Sequence, residues 1–286
     1  NPYRGCFHGC AYCYARPSHE YWGFGAGTDF ESKLVVKEDA ATLLRQAFDR
    51  SFWKGELIVF SGNTDCYQPL EASYGLTRAC LEVCADYRNP VGIITKGALV
   101  LRDLDVLARL HQKAWTRVYF SIPFADDAVA RKMEPQAPSV GKRLEIMKAL
   151  SEAGISTGIS IAPVIPGLND EAMPELLARA RAAGARTATF SLLRLSGSVE
   201  SVFLERVKDA FPDRFAKITN RFREVRGGRL SESAFFDRHQ GTGTYWQMLE
   251  QLFEVARRRA GFACDREEVI PDTFRRPGGA QTTLFD

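Results

Sequence analysis

The chain has 286 residues, of which 45% are hydrophobic, and its formal net charge is +3. This length and apolar content predict one large folded unit with a sizeable core, and the nearly balanced charge gives no sign of a strongly basic nucleic-acid-binding protein. Seven cysteines in a chain of this length exclude a disulfide-rich scaffold. Since no signal peptide and no run of about 18 apolar residues is visible, we expect neither secretion nor a membrane span.

The first element is a cysteine-rich loop in which Cys6, Cys10 and Cys13 follow a C-x3-C-x2-C spacing. Three thiolates in so short a loop can turn toward one point, and soft sulfur ligands select zinc, Cu(I) or iron–sulfur clusters. Three is one fewer than the usual four cluster ligands, so a cluster bound here has one iron open to another ligand. The alternatives are a zinc site completed by His8 or His19, and a disulfide pair with a spare thiol.

We favour the iron–sulfur cluster, because structural zinc sites usually pair two cysteine hooks and the chain has no second hook. Cluster thiols must stay reduced, which predicts a cytoplasmic protein. The loop begins only five residues after Asn1. We therefore expect the chain to begin inside a longer native sequence that carries a further strand before the loop.

Beyond the loop, short apolar segments alternate with segments of helix length. The predicted strands cover residues 57–60, 91–94, 117–120, 155–162 and 188–192, and the predicted helices between them cover residues 39–48, 74–87, 101–112, 139–153 and 170–183. Several of these helices begin at a capping residue (Asp39, Ser139 or Asn169) and end at Gly154 or Gly184. Continuous apolar strands that alternate with helices predict an α/β fold with a parallel sheet covered by helices.

From about residue 198 the pattern changes to helices, which we predict at residues 202–211 and 245–259. We therefore divide the chain into residues 1–197, which hold the cysteine loop and the sheet, a helical extension at residues 198–270, and a flexible tail at residues 271–286.

The predicted strands are followed by polar residues. Gly62, Asn63 and Thr64 follow the strand at residues 57–60, and small residues at such a place let the backbone approach a ligand. An ordinary polar loop is the alternative. Lys96 follows the next strand, where a buried lysine needs an anionic partner, unless it lies at the rim in water.

The segment from Arg4-Gly5-Cys6 to Tyr14 resembles the cluster loop of the radical S-adenosylmethionine (radical SAM) enzymes. The resemblance implies a partial (β/α)6 TIM-type barrel and one 4Fe–4S cluster held by Cys6, Cys10 and Cys13. It also implies that SAM chelates the open iron and is cleaved to methionine and a 5′-deoxyadenosyl radical, which abstracts hydrogen from a substrate.

The same resemblance implies contacts to SAM at the ends of the strands. Tyr12 would lie against the adenine, Lys96 would pair with the carboxylate and Ser121 would bond the ribose. The candidates for the amino group of SAM are Gly62, Asn63 and Thr64. Arg194, at the end of the last predicted strand, is a weaker candidate for an anionic group of the substrate.

Three later motifs, Thr64-Asp65 to Glu71, Thr95-Lys96 and Arg102-Asp103-Leu104, are similar to the spore photoproduct lyase-like branch of this family. That branch implies DNA repair by a lyase that acts on a lesion, with a protein cysteine returning hydrogen. The expected position holds Gly62 or Asn63 here, so Cys66 either serves from a shifted loop or is a small buried hydrophobe. The other cysteines, Cys80, Cys84 and Cys264, are predicted to be structural.

Other functions remain open at this point. They are radical SAM chemistry on a small molecule, a peptide or RNA, and a zinc-binding module without enzymatic activity. We expect a monomer that receives electrons from a donor such as flavodoxin or ferredoxin.

Two further features suggest partners. Residues 281–285, from Gln281 to Phe285, form a Q-x-x-L-F sequence that resembles the bacterial sliding-clamp-binding pentapeptide; the alternative is that Leu284 and Phe285 pack back on the domain. A basic cluster could contact DNA phosphates or form a solvated helix face. Its members are Arg214, Lys217, Arg221, Arg223, Arg226 and Arg229, and Arg257, Arg258 and Arg259 add a second patch.

Overall fold

A computed structural model describes residues 1–230, 240–263 and 269–277. Its strands are β1 (Tyr3–Arg4), β2 (Val35–Val36), β3 (Ile58–Phe60), β4 (Val91–Thr95), β5 (Thr116–Ser121), β6 (Ser156–Val164) and β7 (Thr187–Leu192). Its α-helices are α1 (Asp29–Ser32), α2 (Ala40–Asp49), α3 (Glu71–Tyr74), α4 (Leu76–Tyr87), α5 (Leu104–His111), α6 (Asp127–Met133), α7 (Val140–Glu152), α8 (Met173–Ala182), α9 (Val199–Ala210), α10 (Phe215–Val225) and α11 (Gly243–Arg259). Short 3-10 helices cover Arg16–Trp22, Ala98–Asp103, Asp170–Ala172 and Pro212–Arg214.

Strands β3 to β7 form one parallel sheet in sequence order, and β1 pairs antiparallel with β2. Alternate residues of the sheet, such as Ile93, Val118 and Ile159, are fully buried because they face the helices and form the core with them. Since all five strands of this sheet run the same way, their carboxyl ends meet at one edge. The predicted parallel sheet covered by helices is thus confirmed.

The five predicted strands agree with β3 to β7 to within two residues. Strands β1 and β2 and helices α1, α6 and α10 were not predicted, and α3 overlaps a predicted helix only at Tyr74. Helix α10 buries Ile218, Phe222 and Val225 on one face. From the sequence, this segment was interpreted as a basic cluster because of the arginines on its other face. Of the predicted caps, Ser139 Oγ accepts a hydrogen bond from the Lys142 amide at 3.1 Å. Neither Asp39 nor Asn169 caps its helix through its side chain.

The C-terminal helices share the core of the sheet. The Phe190 ring of β7 stacks on Phe253 and Trp246 of α11, with ring centroids 4.3 Å and 5.5 Å apart. Helix α11 also packs against α8. The division of the chain at residue 198 stays a prediction, and the helices on its two sides are packed together.

The start of the predicted flexible tail differs from the expectation. Phe274 is buried and packs edge-on against Phe48, with ring centroids 5.7 Å apart. The Arg276 guanidinium donates to the carbonyls of Phe48, Arg50 and Trp53 at 2.7 to 3.0 Å. Residues 273–276 therefore pack on the domain, while Cys264 and the clamp-like sequence at residues 281–285 lie outside the described residues.

Within the described part of the chain, no helix is both long and apolar enough to cross a membrane.

Candidate active site

A cavity of about 290 Å³ lies where the carboxyl ends of the sheet strands meet the cysteine loop. All five parallel strands or the segments directly after them contribute to its wall. Its lining includes Cys6, His8, Cys10, Tyr12, Cys13, Tyr14, Asn63, Thr64, Asp65, Thr95, Lys96, Ser121 and Arg194. The three loop cysteines and most of the predicted SAM-binding residues thus surround one space.

The cysteine loop is compact and its thiols are free. Cys6 N donates to Phe30 O at 2.9 Å, and Cys13 N donates to Cys10 O at 3.2 Å. Burial raises the pKa of all three thiols, in the case of Cys10 to about 12. The thiols therefore stay protonated unless a cationic metal centre binds and displaces the protons.

Arg16 fixes the main chain of the cysteine loop. Its side chain is buried, with 3% of the residue exposed. Its guanidinium donates to the carbonyls of Cys10 and Gly9, both at 3.0 Å, and to those of Ala26 and Gly27, both at 2.8 Å. One side chain thereby satisfies four carbonyls and ties the loop to the segment that follows the 3-10 helix. Sequence reasoning missed Arg16, because the acceptors of its hydrogen bonds are main-chain carbonyls that no motif reveals; Arg16 also lies 3.6 Å from the carboxylate of Glu31.

Asp65 joins the loop to the strand ends. His8 Nδ1 lies 3.4 Å from Asp65 Oδ2, and the carboxylate accepts from the Thr95 hydroxyl and the Lys96 amide, both at 2.7 Å. Burial opposes ionisation of Asp65, but these hydrogen bonds hold its pKa well below the usual range. Asp65 is therefore a carboxylate that fixes β3, β4 and the loop relative to one another.

A second buried carboxylate, Glu134, stands beside Tyr12 and Lys96. It accepts from Arg143 Nη2 at 2.5 Å and from the Tyr12 hydroxyl, and it lies 3.7 Å from Lys96 Nζ. Burial would raise the pKa of Glu134, but Arg143 and Lys96 lower it. Lys96 therefore has a protein partner as well as a position in the cavity wall.

The other predicted SAM-binding residues differ in their placement. Asn63, Thr64 and Ser121 line the cavity, although the Thr64 hydroxyl donates to Tyr3 O at 2.9 Å and Ser121 Oγ to Ala162 O at 3.2 Å. Gly62 is not among the lining residues, and its carbonyl accepts from the hydroxyl of Tyr14 at 2.8 Å. Contacts of these residues to SAM stay predictions.

Cys66 is fully buried and does not line the cavity. Its carbonyl accepts from Thr77 Oγ1 at 2.7 Å, which ties it to the start of α4. Cys80 and Cys84 are buried in α4 itself, in agreement with the structural interpretation. The role of Cys66 as a hydrogen donor stays an untested prediction.

The motif residues Glu71, Arg102 and Asp103 form a network away from the cavity. Both carboxylates are fully buried, and Arg102 contacts Glu71 at 2.6 Å and Asp103 at 2.7 Å. Glu71 also accepts from the hydroxyl of Tyr3 and from the Thr77 amide at 2.9 Å. These residues belong to the motifs that resemble the spore photoproduct lyase-like branch. Their contacts position β1 and α4.

The donor set fits an iron–sulfur cluster. Among the described residues no three His, Cys, Asp or Glu side chains are placed to hold a single metal ion, but each thiolate of a 4Fe–4S cluster bonds its own iron, so the sulfurs need not converge. Three free thiols beside an open cavity, of which Cys6 and Cys10 are buried and Cys13 is partly buried, provide three ligands and leave space for a further one.

The sequence profile of the Radical SAM superfamily matches residues 1–180. An uncharacterised protein of Mycobacterium tuberculosis is 34% identical over 289 aligned residues, which cover 100% of this chain and 81% of that protein. The chain belongs to the radical SAM superfamily. It is a radical SAM enzyme, and its cofactors are a 4Fe–4S cluster and SAM. The alternative of a zinc-binding module without enzymatic activity is therefore wrong.

Other proteins are also similar to this chain. A radical SAM Nalpha-GlyT isomerase of Pseudomonas phage M6 is 25% identical over 231 residues, which cover 79% of this chain and 46% of that protein. A mutant spore photoproduct lyase with bound AdoMet and dinucleoside spore photoproduct superposes with a TM-score of 0.59 at 19% identity, over 90% of this chain and 71% of that one. The superposition confirms the partial-barrel fold.

Proposed function

We propose that this radical SAM enzyme acts on DNA and abstracts a hydrogen atom from a damaged nucleotide, in the manner of a lyase. The similar spore photoproduct lyase structure holds both AdoMet and a dinucleoside lesion, and it supports a substrate with the size of a dinucleoside. When bound, the cluster and SAM supply the 5′-deoxyadenosyl radical that abstracts the hydrogen. The residues of the protein bind the substrate and position it for this abstraction.

The observation that carries the proposal is the attachment of a basic helix end to the cavity wall. Arg226 Nη2, at the end of α10, donates to the carbonyl of Leu193 at 2.9 Å, and Leu193 lines the cavity. Arg223 and Arg229 lie exposed on either side of Arg226, and neither has an ion-pair partner among the described residues. Among the described residues, two unpaired cations beside the site are thus available to contact phosphates.

The other residues of the two predicted basic patches are either exposed or paired with carboxylates. Arg214 is exposed, Lys217 pairs with Glu171 at 3.4 Å and Arg221 pairs with Glu224 at 2.8 Å. Arg257 is buried against Glu254, whereas Arg258 and Arg259 are exposed. The helix end nearest the cavity is therefore the part of this surface best placed to contact DNA.

Within the cavity the residues have separate tasks. The cysteine loop would hold the cluster, with Arg16 fixing its main chain. Asn63, Thr64, Lys96 and Ser121 line the cavity, and we expect SAM to bind against them. Tyr14 is half exposed at the rim, where its ring offers a surface on which a base can stack.

The test is an anaerobic assay of the reconstituted protein with dithionite and SAM, in which 5′-deoxyadenosine is measured with and without ultraviolet-irradiated DNA. A Cys10→Ala variant is the control for cluster-dependent cleavage. We expect irradiated DNA to stimulate the reaction and to be changed by it. A protein that cleaves SAM but neither binds DNA nor responds to it would contradict the proposal and favour a small molecule or peptide; a response to RNA alone would favour RNA.

Charge reversal tests the helix end directly. Each phosphate contact contributes about 0.9 to the slope of log affinity against log salt. The double change Arg223→Glu and Arg229→Glu should weaken DNA binding and flatten this slope by about two contacts. Lys148→Glu, on the exposed face of α7 and paired with Glu152 at 3.7 Å, should leave binding unchanged.

The remaining partners belong to the same proposal. The enzyme needs a one-electron donor, such as flavodoxin or ferredoxin, and a reducing cytoplasmic compartment that keeps Cys6, Cys10 and Cys13 reduced.

A further inference from the structure

We propose that Arg194 binds a phosphate of the substrate strand inside the cavity and so sets which nucleotide is presented for hydrogen abstraction. This inference rests on the proposed function. It concerns a second, deeper contact that is independent of the basic end of α10.

The first observation is that Arg194 Nε has no hydrogen-bond partner among the described residues. Arg194 lines the cavity, and its Nε is buried. No described residue forms an ion pair with it. A buried donor of a charged group without an acceptor is costly, so the guanidinium is suited to receive an anion from outside the protein.

The second observation is that the other charged groups of the wall are already paired. His8 lies against Asp65, which also accepts from Thr95 and Lys96 N. Lys96 lies 3.7 Å from Glu134. Among the charged groups that the described residues place in the wall, Arg194 is thus the one without a counter-charge.

The third observation is that the main chain around Arg194 is fixed. Leu193 N donates to Val164 O at 2.9 Å, and Leu193 O accepts from Arg226 at 2.9 Å. The neighbours Leu193 and Leu195 are both 1% exposed and anchor the segment in the core. A guanidinium held on such a segment loses little further freedom when it binds an oxyanion in its bidentate geometry.

Two sources could supply the anion, namely the carboxylate of SAM and a phosphate of the nucleic acid. The SAM carboxylate must lie close to the cysteines because it chelates the cluster, and Lys96, at the end of β4, is the cation on that side. Arg194 follows β7, which is separated from β4 by β5 and β6 in the sheet, so it lies in a different part of the cavity wall from Lys96. This separation favours the phosphate.

The test combines Arg194→Gln with a DNA dinucleotide whose bridging phosphate is replaced by a neutral methylphosphonate. Loss of charge-assisted hydrogen bonds should weaken binding of the normal ligand to Arg194→Gln about tenfold to 100-fold. The methylphosphonate should weaken binding to the wild-type protein to a similar degree, and the variant should not distinguish the two ligands. Arg194→Lys, which keeps the charge without the bidentate fork, should recover part of the affinity.

The matched control is Arg186→Gln, because Arg186 is exposed and directly precedes the same strand at its opposite end. It should bind both ligands as the wild-type protein does. The affinity for SAM is measured in parallel on the reconstituted proteins, and the thermal unfolding of each variant establishes that it is folded.

The outcomes separate this inference from the proposed function. If the wild-type protein binds the dinucleotide and Arg194→Gln binds it equally well, the inference is wrong while DNA remains the substrate. If Arg194→Gln instead loses affinity for SAM, the anion is the SAM carboxylate and the inference is also wrong. If the wild-type protein cleaves SAM but binds no DNA at all, both proposals fail.

Discussion

Replacement of Arg16 by alanine should damage the cysteine loop more than any change at a surface arginine. The side chain is 3% exposed and donates to four carbonyls at 2.8 to 3.0 Å. Each hydrogen bond from a charged donor stabilises by about 1.5–3 kcal/mol. Because the freed loop can relax and water can reach some of the carbonyls, we expect a total loss of about 3–5 kcal/mol in the free energy of unfolding.

The assay has two readouts. Anaerobic denaturant unfolding gives the loss of stability, and the iron and sulfide content after reconstitution gives the capacity of the loop to hold a cluster. Arg16→Lys, which keeps the charge but cannot reach four acceptors, should fall between the wild-type protein and Arg16→Ala. Arg45→Ala is the control, because Arg45 is 47% exposed and pairs with Asp86 at 3.1 Å, and such a surface ion pair contributes at most about 1 kcal/mol.

The reasoning would be refuted if Arg16→Ala lost less than about 1 kcal/mol and bound as much iron as the wild-type protein. The carbonyls of Cys10 and Gly9 would then have other partners, and the shape of the loop would come from its own sequence alone.

Two further predictions follow from the described contacts. A Cβ at Gly97 would lie 2.2 Å from the carbonyl oxygen of Tyr67, so Gly97→Ala should destabilise the fold by about 1–3 kcal/mol in thermal or denaturant unfolding. Gly141→Ala, in the first turn of α7 with open space around the new methyl group, should instead stabilise it by up to about 1 kcal/mol; equal effects of the two changes would contradict the steric argument. Tyr14→Ala should weaken binding of single-stranded DNA by about 1–3 kcal/mol per stacked base, whereas Tyr14→Phe keeps the ring and should bind nearly as the wild-type protein does in fluorescence anisotropy. Unchanged binding by Tyr14→Ala would show that no base stacks there.

The sequence alone predicted the α/β fold and a metal centre held by three thiolates, and the resemblance of the cysteine loop to the radical SAM enzymes implied SAM. Apolar, β-branched segments such as the one that became β4 carry the pattern of buried parallel strands over a few consecutive residues. The three cysteines are close enough along the chain for their shared role to be visible from spacing. Both patterns depend on residues that are close together along the chain, so they can be recognised without the tertiary structure.

Only the tertiary structure decided how the groups around the cavity are paired. Tyr12 and Glu134 are 122 positions apart, and the Lys96 ammonium meets the same carboxylate, so its protein partner was not visible from the sequence. Likewise, Cys66 is close to the predicted site along the chain but does not line the cavity. Within the described part of the chain, Arg194 has no ion-pair partner because of where β7 ends relative to the described charged groups. Such pairings depend on the packing of distant elements, and no local periodicity encodes them.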